Sequence, residues 1–499
     1  MKLSPELILG VVTVYFLLLM AISFFTSRES DNADFFNAGK KSPWFLVAFG
    51  MIGASLSGVT FISIPGAIGG GGTNQAFSYM QMVLGYLVGY AVIATVLMPL
   101  YYRMNLTSIY GYLEERFGFM AYKTGAGYFL LSRVIGASFR LYLVAIVLQK
   151  FVMDTLGIPF WGTVSITILL IWTYTFRGGI KTIVWTDTLQ TICMLLAVIL
   201  TIGAIGNALE TDLGGLFTMV KNSAYSQMFF FEGGWSDTNN FFKQFLSGAL
   251  IALVMTGLDQ DMMQKNLSCK TLDEAQKNMF TFSIILVFAN LLFITLGALL
   301  YIYATSVGIE IPAKADQLFP TIALQNLSPT IGIVFVLGLI AAAYSSADSA
   351  LTALTTSFCV DFLDFEKDTE KTEEEKKKTR WMVHIGFSLL LLITILIFNA
   401  VSNDSVINEV FKAAGFTYGP LLGLFAFGLL SSRQIQNRFV LPVCLIAPLV
   451  TYLINRFSAD LLGGFEFGSM IILLNGFLTF IGLILISYNE VPDKYQLKN

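Results

Sequence analysis

Leu46–Gly72 reads LVAFGMIGASLSGVTFISIPGAIGGGG. The stretch is long and apolar enough to cross a bilayer, which takes about 20 residues of helix. Its middle, Gly53-Ala54-Ser55-Leu56-Ser57-Gly58, is a poor helix former, with two Gly and two Ser in six residues. A helix broken in lipid exposes backbone N–H and C=O groups, and that is tolerated only where protein or a cavity satisfies them. In a many-helix membrane protein such a break points to a substrate or ion site. The stretch therefore predicts a carrier with its site at the break.

The rest of the chain agrees. It has 499 residues, 55% hydrophobic and 13% charged, with a mean hydropathy of +0.71. Soluble domains carry about a quarter charged residues, so most of this chain is expected in the lipid bilayer. The net charge of -3 is uninformative as a sum, and nothing points to nucleic acid. Cys193, Cys269, Cys359 and Cys444 are far apart, with neither a disulfide-dense framework nor CxxC metal spacing. His384 is the only histidine, so zinc sites and Ser-His-Asp chemistry lack their usual parts. The chain does not read as an enzyme. The first apolar run, Leu7–Phe25, exceeds a signal-peptide core, lacks a small-residue cleavage site and reads as a retained span.

Thirteen apolar spans are predicted: 6–26, 44–68, 78–101, 122–150, 160–176, 184–206, 242–262, 279–303, 329–358, 382–400, 408–431, 437–456 and 466–487. An odd number puts the termini on opposite sides. Of the 30 Lys and Arg, 21 fall in the loops and tail on the C-terminal side; five, Lys2, Lys150, Lys221, Lys314 and Arg456, fall opposite. The positive-inside rule then puts the N-terminus outside and the C-terminus in the cytoplasm. The other four, Arg133, Arg140, Lys243 and Lys412, lie in or beside spans. Lys243 starts a helix and is expected to snorkel. Arg133 and Arg140 are seven residues apart, about two turns, and share a face of the fourth span. Intramembrane charges usually face a partner or a cavity, so bundle salt bridges and a substrate or gating role both stand. Loop 207–241 is a candidate partial lid. Loop 361–380, DFLDFEKDTEKTEEEKKKTR, reads as a solvated connector, with Glu373–Lys377 and Glu374–Lys378 at helix-stabilising spacing.

Spans two to six and seven to eleven form two candidate inverted halves, recognisable as matching span patterns. The break at Gly53–Gly58 then needs a counterpart in span seven. There Gly248 and Gly257 precede Asp259-Gln260-Asp261, a pattern compatible with an unwound helix. In span nine, Ser345, Ser349 and Thr352 recur at four and three and share a helical face, with Asp348 beside them. Hydroxyls, carbonyls and a carboxylate suit a small hard cation; the alternative is helix packing with Ser bonding back to carbonyls. Residue type alone does not separate Na⁺ from H⁺. Asp187 is either a helix-start carboxylate favoured by the macrodipole or a second cation ligand. At the break, carbonyls of Gly53 and Leu56 are free to face a cation. Ser55, Ser57 and Thr60 offer hydroxyls to a polar solute, with Tyr79 and Gln81 on span three beside them. Gly419-Pro420 in span eleven predicts a kink.

The chain resembles the sodium/solute symporter family, which carries sialic acid, proline, sugars, iodide and vitamins. The resemblance rests on DNADFFNAGKKSPW before span two, ASLSGVTFISIPG within it, FRGGIKTIVWTDTLQ entering span six, DQDMMQKNL after span seven and AAAYSSADSALTAL in span nine. It implies an all-α fold with a five-plus-five inverted-repeat core, broken helices and additional helices at both ends. It implies a sodium site built from main-chain oxygens of Gly53, Leu56 and Ala342 and the hydroxyls of Ser345 and Ser346. A second sodium site, present in some members, maps to Asp187, Ser345, Asp348 and Ser349. Asp348 departs from the family pattern, where sialic-acid carriers have Ser. An added carboxylate could strengthen sodium binding, let a proton substitute, or pair with a span-four arginine. Ser55, Ser57 and Thr60 match solute-pocket positions. The family's carboxylate-clamping arginine maps near Gly136, with Arg133 and Arg140 a turn to either side.

The expectation is a sodium-coupled carrier, functional as a monomer, importing a small polar solute such as a sugar, a sialic acid or another carboxylate across the plasma or inner membrane. The alternatives are a proton-coupled carrier using Asp348 and Asp187, and a transporter-like sensor without turnover. The expected divisions are 1–43 (a peripheral helix and loop), 44–206 (first repeat), 207–241 (outer loop), 242–431 (second repeat) and 432–499 (two peripheral helices and tail).

Overall fold

The computed structural model describes residues 5–26, 32–69, 75–176, 179–401 and 406–489. Gly70–Gly72 of the glycine-rich turn, Gly178, and the topology-setting Lys2, Arg28, Arg177, Lys494 and Lys498 lie outside the described residues.

Helix α1 (Pro5–Thr26) precedes a bent pair, α2 (Trp44–Ser55) and α3 (Val59–Ala67). Then come α4 (Tyr79–Arg103), α5 (Phe119–Leu156), α6 (Phe160–Thr175) and α7 (Gly179–Ala208). A second bent pair, α8 (Phe241–Gly257) and α9 (Gln260–Leu267), leads into α10 (Leu272–Val307), α11 (Pro329–Phe362), α12 (Glu373–Val401) and α13 (Val406–Leu430). Last are α14 (Val440–Arg456) and α15 (Ile471–Leu485). Among the described residues ten helices are long and apolar enough to cross a membrane, and the two bent pairs bring the number to twelve. The 16-residue α6 occupies the remaining predicted span.

Both predicted breaks are present. Leu56 leaves helical geometry at φ -79°, ψ 69°, a wide turn follows at Val59–Ser63, and α2 and α3 meet at 61°. In the second pair the wide turn comes first, at Leu253–Gly257. Asp259 then caps α9, its carboxylate accepting from the Asp261 and Met262 amides at 2.9 and 3.4 Å, and the pair bends by 64°. The wide turn follows the break in the first pair and precedes it in the second. Single wide turns of this kind recur at functional sites.

Burial separates core from periphery. In α11, 78% of the most apolar window is buried, and in α5 and α13 67%, against 22% in α1 and in the Asn437–Arg456 span that contains α14. α4 and α8 approach backbone to backbone: a Cβ on Gly85 would strike the Phe245 carbonyl, and one on Gly248 the Met82 carbonyl. Small residues at such crossings are how membrane helices pack without a hydrophobic drive between them.

Three local expectations are refined. α13 keeps its helical assignment through Gly419-Pro420. Proline removes the N–H that would bond the carbonyl four residues back, and Asn475 of α15 supplies the donor instead, reaching the Phe416 and Gly415 carbonyls at 2.9 and 3.0 Å. Lys243 does not snorkel; it is buried and donates to the carbonyls of Trp235 and Glu466 at 2.9 and 2.8 Å. The 361–380 connector is solvated only in its middle, because Asp361 and Arg380 at its ends are buried. Its helix starts at Glu373 behind a capping box, in which the Thr372 amide and hydroxyl both donate to Glu375 at 2.9 Å and the Glu375 amide donates to Thr372 Oγ1 at 3.3 Å.

Candidate functional site

The break between α2 and α3 opens onto a cavity of about 100 Å³ of water-accessible space. Ser55, Ser57 and Thr60 line it from the broken helix, Tyr79 from α4, and Arg133 and Arg140 from α5. Thr256 faces it from the wide turn of α8, so both broken pairs contribute a wall. Six of the seven residues expected around the solute are thereby brought together. Gln81 is the exception. It is fully buried and ties α4 to the 207–241 loop, donating to the Asn239 carbonyl at 2.8 Å and accepting from the Phe230 amide at 3.0 Å. That loop rests on the end of α4 through Gln81.

The two arginines differ in their surroundings. Arg133 is 3% exposed and ion-paired with Asp261, with Asp259 at 3.8 Å. Asp259 also accepts from the Tyr418 hydroxyl of α13. Arg133 thus lies between the two carboxylates that shape the second break. Arg140 is half-buried, and among the described residues it has neither an ion-pair nor a hydrogen-bond partner. A guanidinium that opens into a cavity with donors to spare has the chemistry to receive an anion. Neither arginine meets Asp348, as that carboxylate instead accepts from the Tyr174 hydroxyl at 2.8 Å.

Below the break, α2 runs against α7 and α11. Gly53 makes this possible: a Cβ there would strike Thr191 Oγ1 and stand 3.1 Å from the Asp187 carbonyl and 3.2 Å from Ser345 Oγ. The last carbonyls of a helix have no intrahelical donor, so the end of α2 presents main-chain oxygens toward α11. On α11, Ala342 and Ser346 lie one turn apart and both are buried. Ser346 Oγ has no hydrogen-bond partner among the described residues. A buried hydroxyl without a partner costs free energy, and a cation held jointly with the α2 carbonyls would remove that cost. The donor set is all oxygen, as a hard cation requires.

The second cluster is equally buried. Ser345 Oγ donates to Asp187 Oδ1 at 2.8 Å and Ser349 Oγ to Asp187 Oδ2 at 3.4 Å. Asp348 Oδ1 accepts from the Ser349 amide at 2.6 Å. All four predicted residues are therefore adjacent. A fifth, Lys265 of α9, was counted by sequence among the cytoplasmic loop cations. It is 1% exposed, and its ammonium lies 2.7 Å from Asp187 Oδ2. Its helix faces inward over its whole length, every residue of α9 being buried, and the only sequence trace of this was the break that precedes it.

The sequence profile of the sodium:solute symporter family matches residues 35–437. The sodium/sialic acid symporter NanT of Aliivibrio fischeri is 27% identical over 479 residues, covering 92% of this chain and 90% of that protein. The human sodium-coupled monocarboxylate transporter 2 is 26% identical over 428 residues, 81% of this chain and 65% of its own. A solved structure, the substrate-bound outward-open state of a Na⁺-coupled sialic acid symporter, matches with a TM-score of 0.81 over 97% of this chain and 99% of that one, at 18% identity. At that identity the likeness is one of fold.

Proposed function

We propose, for a chain that belongs to the sodium:solute symporter family, that its sodium-coupled cargo is a small organic carboxylate bound at Arg140. The observation that carries this reading is the Arg140 guanidinium, which faces the cavity and, among the described residues, has neither an ion-pair nor a hydrogen-bond partner. The relatives similar to this chain are carriers of sialic acid and of monocarboxylates by name, and both solutes bear a carboxylate. Hydroxyls of Ser55, Ser57 and Thr60 and the phenol of Tyr79 would take the polar remainder of the solute.

Sodium is a co-substrate, held by the carbonyls of Gly53, Leu56 and Ala342 and the hydroxyls of Ser345 and Ser346. There it ties the end of α2 to α11, and Ser55 and Ser57 are on the residues beside its ligands. Bound sodium therefore fixes the backbone that presents these hydroxyls to the solute. Coupling follows if sodium binds the solute-competent arrangement more tightly, because a ligand shifts an equilibrium only by its differential affinity. Residues 44–206 and 242–431 act as the two halves that rock about this site. The protein works as a monomer in the plasma or inner membrane, N-terminus outside and C-terminus in the cytoplasm.

Uptake by proteoliposomes tests this. With an inward sodium gradient, sialic acid and short monocarboxylates are offered alongside their neutral amides or alcohols. Accumulation of a carboxylate that collapses without the gradient, and fails in Arg140→Gln, is the expected result. Accumulation of a neutral sugar, unchanged in Arg140→Gln, would remove the carboxylate reading.

A further inference from the structure

We infer that a second pocket, lined by Lys412 and Arg456, is an anion site on the outer face that loads a carboxylate solute on its way to Arg140. The inference rests on the proposed cargo and orientation. The pocket holds about 360 Å³ of water-accessible space. Its walls are α13, the end of α14 and the segment that leads from there into α15. Phe411 of α13 lines both this pocket and the cavity at the break. One residue is therefore a wall common to the two.

The charge of the pocket has one predominant sign. Its charged lining consists of Lys412, Arg456 and Glu466, all exposed. Two cations against one carboxylate leave it net positive. Among the described residues neither cation forms an ion pair with Glu466. Lys243 brings a third positive charge to the same segment. Its ammonium donates to the Glu466 carbonyl at 2.8 Å and lies 4.4 Å from the centre of the Phe465 ring. These contacts pin the segment that carries Glu466 to the start of α8, so this wall of the pocket is held in place. Asn455 and Ser469 add polar side chains to the lining.

Exposed charges contribute little to affinity one by one. Gathered in a recess with low-dielectric walls, they raise the local concentration of ions of opposite sign and the rate at which those ions enter. Salt screens such a field over about 10 Å at 0.1 M, so its reach is the pocket itself. The site therefore serves entry of an anion, while Arg140 serves its retention.

Thiol labelling on intact cells tests the charge of the pocket without knowledge of the solute. In a Cys193→Ser background, Phe411→Cys is treated with the anionic sulfonatoethyl and the cationic trimethylammonioethyl methanethiosulfonates. The ratio of the two rates is read, because the reagents differ in intrinsic reactivity. Adding Lys412→Gln and Arg456→Gln should lower the anion-to-cation ratio about fivefold or more, and salt at about 0.5 M should shrink that difference. Lys412→Arg with Arg456→Lys, which keeps both charges, should preserve the ratio. A ratio indifferent to the Gln pair, or no labelling from outside by either reagent, would overturn the inference. If Phe411→Cys does not fold, Ser469→Cys reports from the opposite wall of the same pocket. In proteoliposomes at low ionic strength the Gln pair should raise KM for sialic acid or lactate about three- to tenfold, with the effect on KM rather than kcat. An unchanged KM would overturn the loading role. Charge-selective labelling combined with uptake that ignores Arg140→Gln would uphold the anion site and remove the carboxylate cargo.

Discussion

Arg133 and Arg140 have the same side chain, two turns apart on α5, and their surroundings give them different work. Arg140→Gln leaves the bundle's ion pairs untouched, because it has none among the described residues. It removes a charge-assisted contact of about 1.5–3 kcal/mol, so KM for a carboxylate solute should rise roughly ten- to a hundredfold, read from sodium-driven uptake at saturating sodium. Arg133→Gln should instead act on stability. Removing one partner of a buried pair leaves uncompensated charge and costs about 3–5 kcal/mol; here both Asp259 and Asp261 would be stranded. Thermal unfolding of the solubilised protein should drop sharply in Arg133→Gln and stay unchanged in Arg140→Gln. At this scale the sequence was legible wherever spacing along one helix decides adjacency, as for Ser345, Asp348 and Ser349. It was mute wherever adjacency crosses elements. Lys265 meets Asp187 across 78 positions, and Arg133 finds its carboxylates on the far side of the second break. Gln81, polar and well placed along its span, was assigned to the solute although its bonds go to backbone on the outer loop.

Elements were read more completely than contacts, because a span announces itself by composition and a break by its glycines and serines. All thirteen predicted spans have a helix or a bent pair, and both breaks fall where Gly53–Gly58 and Gly257–Asp261 placed them. Pro420 shows the limit: the sequence reveals the missing N–H but not that Asn475, on another helix, replaces it. The same dependence on neighbours makes two glycines testable. Gly53→Ala would drive a methyl group into Thr191 Oγ1 and against Ser345. α2 must then retreat from α11, and the sodium concentration for half-maximal uptake should rise tenfold or more while the solute KM at saturating sodium changes little. Equal effects on both would show that the glycine serves packing alone. Gly85→Leu should be more severe, since its side chain would meet the Phe245 backbone, which has nowhere to go. Loss of the monodisperse folded peak in size-exclusion chromatography is the expected outcome.

The whole molecule is organised by where its charge is allowed to be. Part of the buried charge is gathered around the two breaks, where Arg133 pairs with Asp261 and lies near Asp259, and Lys265 pairs with Asp187. Exposed charge crowds one side, and the 361–380 connector is its densest part. That charge persists at any pH near neutrality. Asp368 is held down to about 2 by bonds from the Lys371 side chain and amide, and Glu375 is lowered by bonds from Thr372. Carboxylates with depressed values stabilise their surroundings above the unfolded value, about 4, and lose that contribution only as pH falls through the depressed one. Acidification from pH 8 to 6 should therefore leave the Asp368–Lys371 and Thr372–Glu375 contacts of this connector unchanged. Orientation in the membrane follows from the lysines and arginines, whose bias sets topology while acidic residues contribute little. Lys371 and Phe217 are both exposed, on loops assigned to opposite faces. In a background with the half-buried Cys193 replaced by Ser, Phe217→Cys should react with a membrane-impermeant maleimide on intact cells. Lys371→Cys should react only after permeabilisation. The reverse pattern would invert the chain and put the 207–241 loop in the cytoplasm.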